Sequence, residues 1–429
     1  MFADVLIGRI PSRALPRMLG LAVLAGLAAA GPAVAQSDSS AVFVVANVSD
    51  EVTAFTANED GTLDFVGNFP AGEGPMAITI TPNGRYLAVT HGTGNSIEEQ
   101  LLIYRVESDA SLTQVYDTMV PDSPMAAVWL NNDTLAVTET DVGGANFVHV
   151  YRWDPDGVSL TLLDSESTGS FNTHLILHPN SQWLYAQDSW SANSISWFTV
   201  ESDGTLTPGG IVYTGSVYPL KLAVTHDGQF LYAAGGISQG GHNILGYRVG
   251  DGGALTALPG SPFQSPGQSP AHLTIAEDDA YLFAGHGSDG TVRSFSVDAA
   301  GALAATGYWY DVGMQGSIGD IKVLKEYLYV TDETTADDGL RGIYGFHIQE
   351  NGSFIKIGGI IDTFSTRPES IAVWKGCKKG DVNCDGVVDI DDVFEVLANW
   401  GACEDCPADV NGDGVVDIDD LFEVLYYWG

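Results

Sequence analysis

Alternating apolar and polar residues, broken by tight-turn residues, recur along most of the chain. In one unit an alternating stretch at residues 75–80 is followed by the turn residues Asn83-Gly84 and by a second stretch at residues 86–89. A period of two predicts β-strands with one buried face, and Asn-Gly predicts a hairpin between them. A third alternating stretch, such as residues 148–152, and an Asp-Gly turn before a fourth stretch complete a unit of four strands.

The four-strand unit occurs seven times. Its second strand is marked by a large apolar anchor, and successive anchors lie 44 to 51 residues apart, at Phe43, Leu87, Leu135, Leu184, Leu231, Leu282 and Leu328. Four strands per roughly 45 residues is the size of a propeller blade. The first copy begins at Ala41 without a first strand, and residues 368–374 supply one at the far end. The sequence therefore predicts an all-β fold, a seven-bladed β-propeller over residues 41–374 whose terminal segments close the ring.

The amino-acid composition limits the classes of molecule that the chain can bind. The chain of 429 residues has 17 Lys+Arg against 55 Asp+Glu, a net charge of −38, yet 45% of its residues are hydrophobic. Such apolar content supports a folded core, and the negative charge argues against nucleic acid as a partner, because nucleic-acid binding requires cationic residues.

The N-terminal segment has the pattern of a secretory signal peptide over residues 1–35. Arg9, Arg13 and Arg17 precede an apolar run at residues 18–30, and Ala33-Val34-Ala35 provides a cleavage site. An uncleaved anchor is the alternative, but the run is shorter than the roughly 20 residues that a membrane span needs. We expect a bacterial protein that is secreted, periplasmic or attached to the cell surface, with no membrane span after cleavage.

The repeats resemble the lactonase-type seven-bladed propellers, a family that includes 6-phosphogluconolactonase and carboxymuconate cyclase. The resemblance is carried by the strand-opening prolines, the Pro82-Asn83-Gly84 turn and the Asp-Gly-x-Leu hairpins. It implies a His directly after a strand-opening proline in one blade and a Pro-Arg pair in the next, where this chain has Thr173 and Leu220. His174 lies one residue beyond the expected position. The unmatched positions predict no catalytic residue.

A second candidate site lies four residues after each anchor. Polar residues fill this position in most copies, and ring closure would bring them to one propeller face: Asn47, His91, Glu139, Asp188, Gly235, His286 and Asp332. One hypothesis is a ring that binds a ligand or metal. The alternative is that Asn and Asp at strand ends bond the backbone of their own turns. Trp183, Trp190 and Trp197 predict either a carbohydrate platform or packing inside a blade.

The last 53 residues, 377–429, contain a duplicated acidic loop. Over 21 positions the copies that begin at Asp381 and Asp409 differ at four. Oxygen ligands at loop positions 1, 3, 5, 7, 9 and 12, with glycine at 6, are the EF-hand calcium arrangement. Two calcium ions are thus predicted, one held by Asp381, Asn383, Asp385, Val387, Asp389 and Asp392, and the other by Asp409, Asn411, Asp413, Val415, Asp417 and Asp420.

A short apolar-periodic helix follows each loop. Loop plus helix, duplicated, resembles a type I dockerin of the cysteine-containing kind. The resemblance implies a cohesin-like or other cell-surface partner recognised through loop positions 10 and 11, which are Ile390-Asp391 and Ile418-Asp419 here. Cellulosomal dockerins commonly have Ser-Thr there, so a different receptor is expected. A calcium-stabilised cap without a partner is the alternative.

All four cysteines, Cys377, Cys384, Cys403 and Cys406, lie in this module. An exported chain favours two disulfides, with three connectivities open, over a zinc site at Cys403 and Cys406.

These observations leave two functional classes. The first is a non-catalytic secreted propeller that binds a ligand or presents a surface and is tethered by its calcium-binding tail. The second is an extracellular lactone hydrolase, or a related carbohydrate-active enzyme, tethered in the same way. The unmatched family positions favour the first class.

Overall fold

The computed structural model describes residues 40–92, 100–120, 123–140, 146–169, 172–189, 193–238, 241–313, 318–333, 342–365, 367–384, 387–402, 408–411 and 414–428. The predicted signal peptide lies outside this described part of the chain. No helix within it is long and apolar enough to cross a membrane.

Short strands follow one another along the chain, as the period of two predicts. In chain order the strands are β1 (Ala41–Ala46), β2 (Glu51–Ala57), β3 (Leu63–Pro70), β4 (Pro75–Ile80), β5 (Tyr86–His91), β6 (Gln100–Val106), β7 (Leu112–Met119), β8 (Ala127–Trp129), β9 (Thr134–Glu139), β10 (Phe147–Asp154), β11 (Ser159–Ser167), β12 (Leu175–Leu177), β13 (Trp183–Asp188), β14 (Ser194–Val200), β15 (Leu206–Tyr213), β16 (Pro219–Val224), β17 (Phe230–Ser238), β18 (Gly241–Val249), β19 (Leu255–Ala257), β20 (Phe263–Gln264), β21 (Pro270–Ile275), β22 (Tyr281–His286), β23 (Thr291–Val297), β24 (Leu303–Asp311), β25 (Ile318–Leu324), β26 (Tyr327–Asp332), β27 (Gly342–Ile348), β28 (Phe354–Asp362), β29 (Pro368–Trp374), β30 (Gly401–Ala402) and β31 (Val415–Val416). The helices are α1 (Ile390–Ala398) and α2 (Ile418–Tyr426), with a 3₁₀ turn at Asp251–Gly253.

The first 29 strands form seven antiparallel sheets, the blades. Blades one to six follow the chain as β4–β7, β8–β11, β12–β15, β16–β20, β21–β24 and β25–β28, and the seventh is β29 with β1–β3. The all-β, seven-bladed prediction is confirmed.

The seventh blade joins the two ends of the propeller. β29 pairs antiparallel with β1, with Ala41 opposite Trp374 and Val44 opposite Ile371. This is the closure predicted from the missing first strand, and it leaves neither terminal strand as an open edge.

The anchor of the closing blade differs from the prediction by one residue. Val42 and Val44 pack with Tyr327 and Tyr329 of the sixth blade, whereas Phe43 faces the first blade. Because successive side chains of a strand point to opposite faces, Val42 and not Phe43 is the equivalent of Leu87. Ala46 consequently occupies the position assigned to Asn47.

The Asp-Gly hairpins also join neighbouring blades. Gly61 has φ +78°, and an added Cβ would lie 2.3 Å from the ring of Tyr327 in the preceding blade. A glycine is required here for both reasons. Tyrosine hydroxyls of one blade donate hydrogen bonds to turn carbonyls of the next, for example Tyr185 to Gly253 (2.9 Å), Tyr232 to Gly301 (2.8 Å) and Tyr329 to Gly61 (3.0 Å).

The C-terminal module has a small core of its own, made by Val382, Val388, Val396, Ala408, Val416 and Val424. Val388 and Val416 are equivalent residues of the two repeats, and so are Val396 and Val424. The segment after α1 pairs with the second loop in the short β30–β31 ladder, in which Gly401 lies opposite Val416. A core of this size indicates a module that depends on cross-links or ligands for stability.

Candidate functional site

The seven innermost strands, β4, β8, β12, β16, β21, β25 and β29, surround a cavity of about 400 Å³. Five of them, β4, β16, β21, β25 and β29, have a register shift near their first residues. Such a bulge inserts an extra residue and re-aims the side chain that follows it. An equivalent position in every blade lies three residues before the residue that pairs with the second-strand anchor: Ala77, Ala126, His174, Lys221, His272, Asp320 and Ser370.

This position is polar on one side of the channel. It is alanine in the first two blades and His174, Lys221, His272, Asp320 and Ser370 in the third to seventh. We call the first four of these, together with Lys322 two residues further along β25, the channel cluster. His174, one residue beyond the position of the family's histidine, and Lys221, which follows Leu220, both line the channel.

His174 and Asp320 supply acceptors to the neighbouring inner strands. The Leu222 N–H donates to His174 Nδ1 at 3.2 Å. Asp320 Oδ2 accepts from the Ile371 N–H at 3.2 Å and from the Ser370 hydroxyl at 3.3 Å. The bond to Nδ1 fixes the neutral tautomer of His174 with its proton on Nε2. Burial, together with the nearby Lys221 and Lys322, lowers the pKa of His174 well below its ordinary value, so this neutral form persists.

The two lysines make the channel cationic. In the described part of the chain neither ammonium group forms an ion pair or a hydrogen bond. Burial lowers the pKa of Lys221, and Asp320 partly offsets that effect. Although burial opposes it, Lys322, Lys221 and His272 hold the pKa of the buried Asp320 well below its ordinary value. Two cations face one dedicated carboxylate, an arrangement that suits an anionic ligand or a developing negative charge.

A carboxylate pair lies beside the channel cluster. Arg367 Nε is 3.3 Å from Glu369 Oε2 and 3.6 Å from Glu333 Oε2. Burial and the Glu333 charge raise the pKa of Glu369 to about 7, against the opposing effects of Arg367 and Lys221. A carboxyl group that titrates near neutral pH can take and return a proton.

Five of the predicted ring residues are the last residues of their second strands and form contacts inside the protein: His91, Glu139, Asp188, His286 and Asp332. His91 contacts the Gln100 carbonyl through Nδ1 at 3.0 Å and the Ala71 carbonyl through Nε2. His286 contacts the Thr291 carbonyl and the Ser265 hydroxyl, and burial lowers its pKa to about 4. These residues use both ring nitrogens on protein groups.

The ring carboxylates are likewise engaged. Asp188 accepts hydrogen bonds from Ser194 at 2.9 Å and Ser196 at 2.7 Å, and burial raises its pKa to about 6. Glu139 Oε2 lies 2.5 Å from His149 Nε2. Asp332 ends β26 and is buried, Asn47 donates to the Pro75 carbonyl, and Gly235 contributes no side chain.

The tryptophans pack within or between blades. The Trp183 ring lies 4.6 Å from the His178 ring, and Trp197 covers the backbone of Gly209 and Gly210. Trp190 is outside the described residues.

Both calcium-type loops close on their last residue. Asp392 is fully buried, and its carboxylate accepts the backbone N–H of Asn383 at 3.1 Å and of Asp389 at 2.7 Å. Asp420 repeats this with Asn411 at 3.1 Å and Asp417 at 2.8 Å. Position 12 of each loop is thereby held against positions 3 and 9.

Position 5 of each loop, Asp385 and Asp413, lies outside the described residues. Within the described ones no group of three His, Cys, Asp or Glu side chains is placed to hold a metal ion. The all-oxygen donor set and the closed loops fit a hard cation.

One disulfide joins Cys377 and Cys384, with Cα atoms 5.1 Å apart. Of the three connectivities that the sequence left open, this bond selects the one that pairs Cys377 with Cys384. Cys403 and Cys406 lie outside the described residues.

Of the predicted partner-binding positions, Ile390 is 49% exposed and Ile418 45%, each as the first residue of its helix. Asp391 and Asp419 follow them and are exposed.

Sequence reasoning missed Asp320, Lys322, His272 and Glu369. The signal was present, because charged residues interrupt otherwise apolar strands such as Ile318–Leu324. An ionisable residue on a strand buried on both faces needs a partner or a function.

Comparison with known proteins shows which propellers this one is similar to. The family model described as "Lactonase, 7-bladed beta-propeller" matches residues 148–256 and 214–317, which include His174, Lys221 and His272. The propeller is lactonase-like. Relatives of the lactonase-like propeller include a 6-phosphogluconolactonase of Erwinia tasmaniensis, 21% identical over 303 residues, which cover 66% of this chain and 84% of that protein.

Solved structures resemble the lactonase-like propeller across their whole length. The periplasmic gluconolactonase PpgL of Pseudomonas aeruginosa has a TM-score of 0.61 and 17% identity, covering 79% of this chain and 99% of its own. A candidate 6-phosphogluconolactonase of Bacteroides fragilis has a TM-score of 0.65 and 17% identity, covering 79% and 98%. At such identities the structural likeness shows the fold.

Proposed function

We propose that the lactonase-like propeller hydrolyses lactones. The observation that carries the proposal is the position and the pKa of the Glu369 carboxyl group. Its pKa is about 7, and it lies beside a channel that is lined by two lysines. Ring opening of a lactone needs a base for the attacking water and positive charge for the oxyanion. Thr173 and Leu220 predicted a non-catalytic propeller, but the channel cluster and Glu369 together offer both kinds of group.

The reaction is divided among these groups as follows. The Glu369 carboxylate takes a proton from water as the water oxygen attacks the lactone carbonyl carbon. The Lys221 ammonium and the His174 Nε2–H stabilise the oxyanion. When the ring C–O bond breaks, Glu369 returns the proton to the departing ring oxygen, and a hydroxy acid results. Lys322, deeper along the same strand face as Asp320, would bind an anionic substituent.

The substrate class follows from the relatives and the channel. Sugar lactones such as gluconolactone and 6-phosphogluconolactone are the first candidates, because the names of similar proteins specify them. The ammonium groups of Lys221 and Lys322 favour the phosphorylated form, because its charge would complement theirs. Binding without chemistry is the alternative, in which the channel holds the anion and does not open the ring.

The first prediction tests this function directly. We expect the full chain to open glucono-δ-lactone or 6-phosphogluconolactone faster than the spontaneous reaction, and Lys221→Met to lower kcat/KM by about 100-fold through loss of oxyanion stabilisation. Acid release is followed with a pH indicator against an enzyme-free blank. Lys375→Met, which removes an exposed lysine after β29, should leave the rate unchanged. A rate no faster than the blank with both lactones would contradict the proposal.

We further propose that the C-terminal module is a calcium-dependent attachment device. Equivalent positions of the two helices expose the same apolar side chains: Ile390, Phe394 and Leu397 on α1, and Ile418, Phe422 and Leu425 on α2. Spacings of three and four place each set on one helix face. A cohesin-like or other cell-surface protein would cover either face. Secretion through cleavage after residue 35 belongs to this proposal, and the periplasmic origin of one similar structure supports it.

The second prediction concerns calcium. Titration calorimetry of the full chain should show two calcium sites, and Asp381→Ala or Asp409→Ala should each remove one, because position 1 supplies a ligand to its own loop. Asp391→Ala, at an exposed position outside the predicted ligand set, should keep both. Titration of the unmodified chain without any calcium uptake would refute the prediction.

A further inference from the structure

Three side chains of the second blade form a hydrogen-bonded series on its outer strands. Ser165 Oγ lies 2.7 Å from His149 Nδ1, and His149 Nε2 lies 2.5 Å from Glu139 Oε2. His149 and Glu139 are buried, at 8% and 9% exposed, whereas Ser165 is exposed on the outermost strand β11. A reachable hydroxyl, a buried imidazole and a buried carboxylate thus follow one another.

Strand register brings the three together. His149 lies directly opposite Ser165 across β10 and β11, and Glu139 lies opposite Phe147 at the end of β9. The Phe147 ring stacks on the His149 ring at 5.8 Å with planes 23° apart, and the Tyr151 ring lies 6.2 Å away on the same strand face. These aromatic neighbours hold the imidazole in the plane that reaches both partners.

The order of the groups matches what a serine nucleophile needs. In the neutral form, Nε2–H donates to the Glu139 carboxylate and Nδ1 is free to accept the Ser165 hydroxyl proton. We propose that Ser165, His149 and Glu139 form a second hydrolytic site, in which the Ser165 oxygen attacks the carbonyl carbon of small carboxylic esters.

The step balances within these groups. As the Ser165 oxygen bonds to the ester carbon, its proton passes to His149 Nδ1, and Glu139 stabilises the resulting imidazolium. The C–O bond to the alcohol breaks, the alcohol takes the proton from His149, and an acyl-Ser165 ester remains. Water then hydrolyses this ester by the reverse proton path.

The surroundings restrict the ester. Asp164 and Glu166 flank Ser165 on the strand, and the whole chain carries −38, so uncharged or cationic esters approach more readily than anionic ones. The Ser165 N–H donates to Asp164 Oδ1 at 2.8 Å and is therefore engaged before any oxyanion forms. The covalent acyl step is consequently expected to be easier to detect than rapid turnover.

Covalent labelling of the full chain tests the site. The folded protein is treated with diisopropyl fluorophosphate, or with p-nitrophenyl acetate, and the modified residue is located by peptide mass mapping. We expect an adduct on Ser165, its absence in Ser165→Ala, and labelling slowed at least about 100-fold in His149→Gln. Ser167→Ala, which alters another exposed serine of β11, serves as the matched control and should label normally.

Two outcomes would overturn the site: no adduct on Ser165, or equal labelling rates in His149→Gln and the unmodified chain. Glu139→Gln provides a second variant if His149→Gln does not fold, as judged by circular dichroism, and its labelling should also be slower. Because the readout is mass at Ser165, its failure leaves the lactone proposal standing. Inactivity toward lactones leaves this proposal standing in the same way.

Discussion

Replacing Glu369 by Gln should lower lactone turnover by about 100- to 10,000-fold, because the amide cannot take the proton of the attacking water. In the unmodified protein kcat/KM should rise with pH through about 7, where the Glu369 carboxyl group ionises. Glu326→Gln, an exposed change on the turn between β25 and β26, should preserve the rate and the profile. An unchanged rate in Glu369→Gln would show that another group is the base.

The same substitution should raise stability. The folded protein holds the pKa of Glu369 at about 7, against 4.5 for an ordinary glutamate, so between these pH values it binds more protons than the unfolded chain. Stability from this group therefore falls as pH rises through that window. Glu369→Gln avoids the loss, and at pH 8 we expect it to be more stable by about 1–3 kcal/mol in urea unfolding. Such a gain, together with lost turnover, separates a proton-transfer role from a merely structural one.

Glu333→Gln sharpens the pH argument. The Glu333 charge is one of the groups that raise the pKa of Glu369. Removing it should move the midpoint of the pH–rate profile to lower pH and retain turnover above it. A profile that stays in place would separate the activity from this carboxylate pair.

Asp320→Asn should destabilise the propeller by about 3–5 kcal/mol, which is the usual cost of removing one partner from buried charges. In the variant, Lys221 and Lys322 lose their counter-charge. The two carboxylate oxygens of Asp320 accept hydrogen bonds from the backbone N–H groups of Ile321 and Ile371, and the amide of Asn has only one oxygen to accept them. Equilibrium unfolding in urea at pH 7 measures the loss. Asp251→Asn, at an exposed position of the fourth blade, should change the free energy of unfolding by less than about 0.5 kcal/mol.

A double variant and a pH series identify the cause. Asp320→Asn with Lys221→Met removes one unpaired cation and should recover part of the lost stability. Because the pKa of Asp320 is depressed, its contribution to stability is fully present above the ordinary pKa and is lost progressively as pH falls from there through the depressed value. The difference between the two proteins should therefore remain at pH 4–7 and narrow in stronger acid. Equal stability at pH 7 would contradict the charge argument.

The periodic features of the structure were predictable from the sequence. Alternation set the strands, the Asp-Gly turns set the hairpins, and the missing first strand at Ala41 predicted that residues 368–374 would complete the seventh blade. The duplicated loop predicted two equivalent helices, each of which begins with the same capping arrangement at Asp389 and Asp417. These features are local, and local residue types encode them.

The channel was not predictable in the same way. His174 lies one residue beyond the position where the family has its histidine. On a regular strand an offset of one residue would point the His174 side chain away from the channel. Bulges at the start of several inner strands decide which residue faces the channel, and ring closure decides that Lys221, Asp320 and Glu369 come together. These residues are too far apart in the sequence for a local periodic pattern to relate them.

The sequence alone determined the number of blades, the way in which the ring closes and the calcium-type loops, because each repeats a local pattern of residue types. The tertiary structure decided which ionisable side chains meet: the lysines with Asp320, Glu369 with Glu333, and Ser165 with His149. Charges act through space and burial. The pKa values and ion pairs of a channel therefore depend on strand register and on contacts between blades, which a one-dimensional pattern does not specify.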